Sequence, residues 1–358
     1  MSAHELLIAI MAIFALFGAI DRIAGNRLGL GKEFENGIEA MGPLALAMLG
    51  IISLAPVLAG LLRPVIVPVF QFLGADPAMF AGSLLACDMG GGPLAMELTE
   101  NPEAGLLGGV ITGSMLGATL VFTIPAAMGI LRPEDRPAMA KGVLCGIVTI
   151  PLGVLVGGIT AGFPIGLVLR NLTPIVIIAA LIAFGLWKAE GAMVRGFTAF
   201  GKGVTALITV GLAAAIVETL TGWVIIPGLA PLSEGFETVG AIAIVLAGAF
   251  PLVYAITRLL RKPLLRLGKF LGINDAAAAG LVATLANSIA TFGMVGDMDR
   301  RGKVVNIAFA VSAAFVFGDH LGFTAGFAPE ALPAMIAGKL AGGISAVALA
   351  LLLTKEKR

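Results

Sequence analysis

Runs of about 20 apolar residues follow one another along this chain with little between them, and that repetition decides which solvent the fold is built for. Nine runs read as full membrane spans: 6–23, 41–62, 105–131, 141–161, 165–187, 204–226, 239–260, 304–327 and 331–354. In lipid each must satisfy its own backbone N–H and C=O groups, so each is expected as a helix. Hydrophobic residues make up 58% of the 358 and charged residues 13%. A soluble domain carries about 25% charged residues, so there is too little polar side chain here to cover an aqueous surface. The expected class is an all-α polytopic membrane protein. The first run, 6–23, lacks a basic start and a small-residue cleavage site, and is expected as a retained span.

Two further stretches, 64–98 and 264–298, are apolar but broken near their middles by polar, Gly or Pro residues. Lys and Arg settle how these stretches cross, because basic loops stay cytoplasmic. The expected cytoplasmic groups are Arg22/Arg27/Lys32, Arg132/Arg136/Lys141, Lys188/Arg195/Lys202, Arg258 to Lys269, Arg300/Arg301/Lys303 and Lys355/Lys357/Arg358. The opposing loops at 97–103, 162–164, 227–238 and 328–330 contain no Lys or Arg. These loops agree only if each broken stretch enters and leaves on one side. Two re-entrant hairpins among nine full spans are therefore expected, with Arg63 the one basic residue placed outside.

The two halves match at an offset of 198. Glu39, Gly42, Ala45, Gly50 and Leu54 pair with Glu237, Gly240, Ala243, Gly248 and Leu252. Leu61-Leu62-Arg63 pairs with Leu259-Leu260-Arg261, Phe72-Leu73-Gly74 with Phe270-Leu271-Gly272, Ser114 with Ser312, and Lys141 with Lys339. The loop after Leu62 is expected outside and its partner after Leu260 inside, so the repeats are expected to be inverted. The reading is one transmembrane domain, 1–358, with repeat one at 1–160, a connecting span and cytoplasmic loop at 161–197, and repeat two at 198–358. Inverted repeats with broken helices place a substrate site near the midplane. Facing hairpins resemble an elevator carrier, an analogy of fold alone.

Chemistry is expected where helices break. The first tip reads Cys87-Asp88-Met89-Gly90-Gly91-Gly92-Pro93, in which Gly and Pro forbid a continuous helix. Asp88 at membrane depth either holds a cation or caps the arm that follows, and it can do both. At the second tip, Asn287 and Ser288 either bond a substrate hydroxyl or satisfy the tip's own backbone. Asp319 and His320, flanked by Gly318 and Gly322 within a span, form the sharpest polar feature. They read as a cation counter-ion with a proton relay or hydrogen-bond partner, or else as a buried Asp–His pair, or one of the two paired with Lys339, that only locks helices. Thr112 and Ser114, on a Gly-rich span, either line the same cavity or bond back to their own helix. Phe292, Phe317 and Phe323 offer ring faces to a cation or pack in the core.

A net charge of +1 leaves no basic footprint for nucleic acid. Cys87 and Cys145 both lie in apolar runs, against a disulfide framework or a Cys-based zinc site. No P-loop, dinucleotide fingerprint or His-rich metal spacing occurs, and no cofactor or metal is expected.

Segments 41–48 (MGPLALAM), 80–91 (FAGSLLACDMGG) and 302–323 (opening GKVVN) resemble the ethanolamine transporters of the bacterial ethanolamine-utilisation operon. The resemblance runs over nearly the whole chain and takes in Asp88, Asn287, Asp319 and His320. It departs at Gly92-Pro93 and at Ser288-Ile289-Ala290, and the loops after Gly162 and Pro231 are short. It implies an inner-membrane permease for ethanolamine, a small ammonium cation with one hydroxyl, and not an enzyme. Cys87, Gly90 and Gly91 join the expected site through the same tip. Other readings are a carrier for another small amine or polar solute, a passive channel, or an intramembrane aspartyl protease using Asp88 and Asp319. Facilitated diffusion and coupling to H⁺ or Na⁺ both fit. A homodimer would supply the fixed scaffold that an elevator needs.

Overall fold

The computed structural model describes residues 2–354, and only the backbone of residues 260–262, 264, 265, 267 and 269. The basic tail at Lys355, Lys357 and Arg358 lies outside the described residues, as do the side chains of Leu260, Arg261, Lys262 and Lys269. Among the described residues the chain is helical throughout, with no strand.

Helix α1 (Ala3–Ile23) opens on a capping box between Ser2 and Glu5, and the short amphipathic α2 (Leu30–Glu39) leads into α3 (Met41–Phe72). A pair of short helices follows, α4 (Ala78–Leu84) and α5 (Gly91–Leu98), joined through a 3₁₀ turn at Cys87–Met89. After α6 (Pro102–Gly105) the chain winds as π-helix over Leu106–Gly117 and Thr119–Thr123, then continues through α7 (Ile124–Ile130), α8 (Arg136–Thr160) and α9 (Ile165–Thr221). Helix α10 (Leu232–Leu271) precedes a second short pair, α11 (Asp275–Ala286) and α12 (Ser288–Met294), then α13 (Arg300–Ala313), α14 (Asp319–Phe327) and α15 (Leu332–Leu353).

Seven helical segments are long and apolar enough to cross a membrane, and this is a multi-pass membrane protein. The nine expected spans differ from these seven for two local reasons. The runs 165–187 and 204–226 fall in the single 57-residue α9. A straight helix of that length would extend about 85 Å, far beyond the roughly 30 Å hydrocarbon core. Its backbone breaks at Ala189 (φ −145°, ψ 48°), between the two runs. The second run also stops early, at Thr221, where Gly222 adopts a left-handed cap.

The run 304–327 is not one helix. Helix α13 ends at Ala313 and α14 begins at Asp319. In between, the Phe315 and Phe317 N–H groups donate to Thr284 O (3.2 Å) and Leu285 O (2.8 Å), the end of α11. A helix can break at membrane depth only where protein or a water-filled cavity satisfies the freed groups, and here the second helix pair does so.

The broken stretch 64–98 also differs at its start. Helix α3 runs on through Pro56, Pro64 and Pro68 to Phe72, so the helix pair proper begins at Ala78. Its two ends return to one place: Thr99 Oγ1 donates to Asp76 Oδ2 (2.8 Å), and the Asp76 N–H donates to Asn171 Oδ1 on α9 (2.7 Å). The α11–α12 pair closes the same way, with Asn274 Nδ2 donating to Asp297 O (2.9 Å). Moved by 198, Asp76 becomes Asn274 and Thr99 becomes Asp297, so the two ties occupy matching positions. Residues 41–72 moved by 198 become 239–270, inside α10. Exposure follows the offset too: Leu61 and Leu259 are 70% and 78% exposed, Phe72 and Phe270 91% and 86%. Large apolar groups this open need a non-aqueous neighbour.

One apolar core joins the π-helical segment, α8, α13 and α15; a second lies between α3, α10 and α14. The first helix pair seats backbone to backbone on the π-helix. A Cβ on Gly82 would stand 1.7 Å from Gly108 O, so a larger residue there would push α4 off its support.

Candidate functional site

Both breaks open on one cavity of about 390 Å³. Ala40, just ahead of α3, and Pro43, Leu44 and Ala47 on it form one wall with Phe250 of α10; Ala86, Asp88 and Met89 of the first tip form another. Ala118 and Phe122 come from the π-helical side, and Phe315, Asp319 and His320 from the break before α14. The cavity therefore lies where the two cores meet.

The first tip is held by its own backbone. The Met89 and Gly91 N–H groups both donate to Ala86 O, at 3.0 and 2.8 Å, turning Asp88 toward the cavity. Gly90 closes the turn at φ +102°, a left-handed conformation that costs a side chain dearly. Asp319 is the first residue of α14, where the helix dipole favours a carboxylate.

His320 connects these acids to a lysine. Its Nε2 lies 3.8 Å from Asp88 Oδ1, and its Nδ1 lies 3.0 Å from Lys339 Nζ. Lys339 Nζ also donates to the backbone carbonyl of Ser114. With Lys339 as an ammonium, which has no acceptor, Nδ1 accepts and the ring proton sits on Nε2, facing Asp88. A line of polar groups thus runs from the Asp88 carboxylate through the imidazole and Lys339 to the π-helix.

Phe315 adds strain beside this line. Its φ of +62° is unusual for a bulky residue, and its ring stands edge-on to Phe122 (5.3 Å between centroids) and tilted on His320 (5.4 Å). Strain of this kind costs on the order of 1–3 kcal/mol and persists where surrounding packing over-determines it.

Of the residues singled out in the sequence, Asp88, Asp319 and His320 line one cavity, and Gly90 and Gly91 follow Asp88 at the tip. Cys87 is buried directly behind Asp88. The other expected residues lie elsewhere. Thr112 Oγ1 donates to Leu107 O (2.8 Å) and Ser114 Oγ to Ile111 O (3.0 Å), both within their own helix; Ser114 serves the site only through its carbonyl. Asn287 Oδ1 accepts from the Ile289 N–H (2.8 Å) and so caps α12, while the Ser288 hydroxyl is buried without a partner. None of these four lines the cavity. Phe292 and Phe323 are buried, the latter stacked on Phe327 at 4.9 Å, and Phe317 lies off the cavity wall; the rings that face it are Phe122, Phe250 and Phe315.

Donor atoms of Cys87, Asp88 and His320 all lie within 4.8 Å of one another, close enough to consider a metal ion. The donor set fits one poorly. With Lys339 charged, the ring proton is on Nε2, and the ammonium at the other ring nitrogen would repel a divalent ion.

The family model for "Ethanolamine utilisation protein, EutH" matches residues 3–353. The chain belongs to the EutH family. It is 58% identical over 356 residues to the "Probable ethanolamine permease EutH" of Listeria monocytogenes, covering 99% of this chain and 95% of that one. It is 51% identical over 354 residues to the "Uncharacterized protein YxeR" of Bacillus subtilis, covering 99% and 96%. The Salmonella typhimurium protein named "Probable ethanolamine permease EutH" is 48% identical over 394 residues, covering 99% and 97%. No solved structure matches this chain.

Lys339 was legible in the sequence as a partner for Asp319 or His320, being a lone cation deep in an apolar run. Phe315 was not, because a positive φ is imposed by neighbours and leaves no mark in residue type. The α3 wall was not either, because Pro43, Leu44 and Ala47 are chemically ordinary.

Proposed function

We propose that this protein carries ethanolamine across the bacterial inner membrane by alternating access, with the ammonium held against Asp88 and Asp319. The observation that carries the reading is the convergence of two carboxylates and three phenyl rings on one cavity closed by a helix tip. A desolvated carboxylate and a ring face both favour a small organic cation. The relatives' names point to the same solute.

The helix pairs are read as re-entrant hairpins in two inverted repeats. The core holding both hairpins, α8, α13 and α15 slides as an elevator past α3 and α10, and a homodimer holds that scaffold still. In support, the cavity lies between these two bodies and the hairpin ties recur at the repeat offset.

Uptake of labelled ethanolamine into proteoliposomes, with and without a pH gradient, tests the reading. Saturable uptake is expected, reduced at least about tenfold in Asp88→Asn and in Asp319→Asn. Wild-type uptake by both variants would falsify the assignment. Flux that never saturates would mean a channel. An aspartyl protease would use the same two acids, and no cleavage of a membrane-spanning peptide by the same preparation is expected.

A further inference from the structure

Lys339 is the one ionisable residue in α15. It is 1% exposed, and the transport reading above gives it no task. Its repeat partner Lys141 lies near the surface and donates to the Leu353 carbonyl at the end of α15 (2.7 Å). Lys339 instead reaches inward, to Ser114 O and His320 Nδ1. A lysine that served only to join helices would be expensive here, since an apolar residue of similar volume does that without desolvating a charge.

The charged and titratable groups around the cavity can be taken wall by wall. The first tip presents Asp88, with the Cys87 thiol behind it. The break before α14 presents Asp319 and His320, and α15 reaches His320 from behind through Lys339. The walls from α3, α10 and the π-helical side contribute Ala40, Pro43, Leu44, Ala47, Phe250, Ala118 and Phe122, none of them charged. With both carboxylates ionised, Lys339 protonated and the imidazole neutral, the empty site carries one net negative charge.

We propose that Lys339 is a built-in ammonium that sets this balance, so that the cavity accepts one monovalent cation and disfavours a divalent one. The proposal rests on reading the cavity as the amine site. The head group of Lys339 is the same chemical group as the ammonium of a primary amine. It stands behind the imidazole, on His320 Nδ1 and the Ser114 carbonyl, and there its charge offsets one of the two acids while the cavity itself is left to the substrate. One bound monocation brings the site to neutrality. A dication overshoots by one charge in a medium that tolerates none. Without Lys339 the site holds two net negative charges.

Calorimetric titration of the purified full-length protein with ethanolamine, methylamine and 1,3-diaminopropane tests this at neutral pH, where the first two are monocations and the third a dication. The wild type is expected to bind the monocations more tightly. In Lys339→Gln the ratio of Kd values should move toward 1,3-diaminopropane by on the order of tenfold or more. Lys339→Met, which fills the same space without needing a polar partner, keeps the test available if the Gln variant does not fold. Lys339→Arg, retaining the charge, should keep the monocation preference. In Asp319→Asn/Lys339→Gln one charge of each sign is gone, and monocation binding should recover relative to Asp319→Asn alone. A purely structural lysine would give no such rescue. An unchanged ratio in a folded Lys339 variant, or a double variant no better than Asp319→Asn, overturns the proposal. Failure of the wild type to bind ethanolamine overturns the substrate reading instead, while methylamine against 1,3-diaminopropane still reads the charge preference.

Discussion

At the scale of single residues, the site depends on backbone conformations as much as on charge. Gly90 lets the chain reverse behind Asp88, and a Cβ there would stand 2.2 Å from Ile51 Cγ1 on α3. Gly90→Ala therefore combines a left-handed penalty of about 1–2 kcal/mol with overpacking of about 1–3 kcal/mol. Lower thermal stability and slower uptake are expected together, and a variant matching wild type in both would show that the tip has another way to turn. Residue types in the sequence were enough to single out Asp88, Asp319 and His320, because ionisable groups in apolar runs stand out against their background. They were not enough to separate these from Asn287, Ser288, Thr112 and Ser114. Small polar groups in lipid must find partners whether or not a substrate is near, and here Asn287, Thr112 and Ser114 find them locally.

At the scale of elements, the breaks are stabilised by partners distant in sequence. The first helix pair is anchored at its base rather than its tip, through Thr99 to Asp76 and Asp76 to Asn171. Asp76→Ala removes the acceptor for Thr99 and for the Ala78 N–H (2.8 Å). A loss of about 1–3 kcal/mol is expected, seen as a lower melting temperature in detergent. Because the anchor is far from the cavity, the Km for ethanolamine should change less than the maximal rate. A large rise in Km with an unchanged rate would place Asp76 in binding instead. Glycine and proline marked the first broken stretch in the sequence, since those residues interrupt helices wherever they cluster, and Asn287 and Ser288 marked the second. The break between α13 and α14 carried only Gly318 and Gly322 as signals inside an apolar run. What opens it is the row of carbonyls that α11 presents to Phe315 and Phe317, a tertiary partner that no local pattern encodes.

At the scale of the whole molecule, the basic loops give a topology that labelling can read. Glu100 and Glu134 are both exposed and lie on loops assigned to opposite faces, while Cys87 and Cys145 are buried. In intact cells, Glu100→Cys should react with a membrane-impermeant maleimide, and Glu134→Cys only after permeabilisation. The reverse pattern would mean that 64–98 crosses the membrane and is not a re-entrant hairpin. The apolar runs by themselves determined that this chain folds in lipid, as helices, with a break at the glycine-rich first tip, because backbone polar groups have no other solution there. Tertiary structure alone decided that the α13–α14 break rests on α11 and that Lys339 meets His320 behind Asp88. Each of those outcomes turns on a contact between segments far apart in the chain. Hydropathy and residue type report what a segment requires of its surroundings, but not which other segment will provide it.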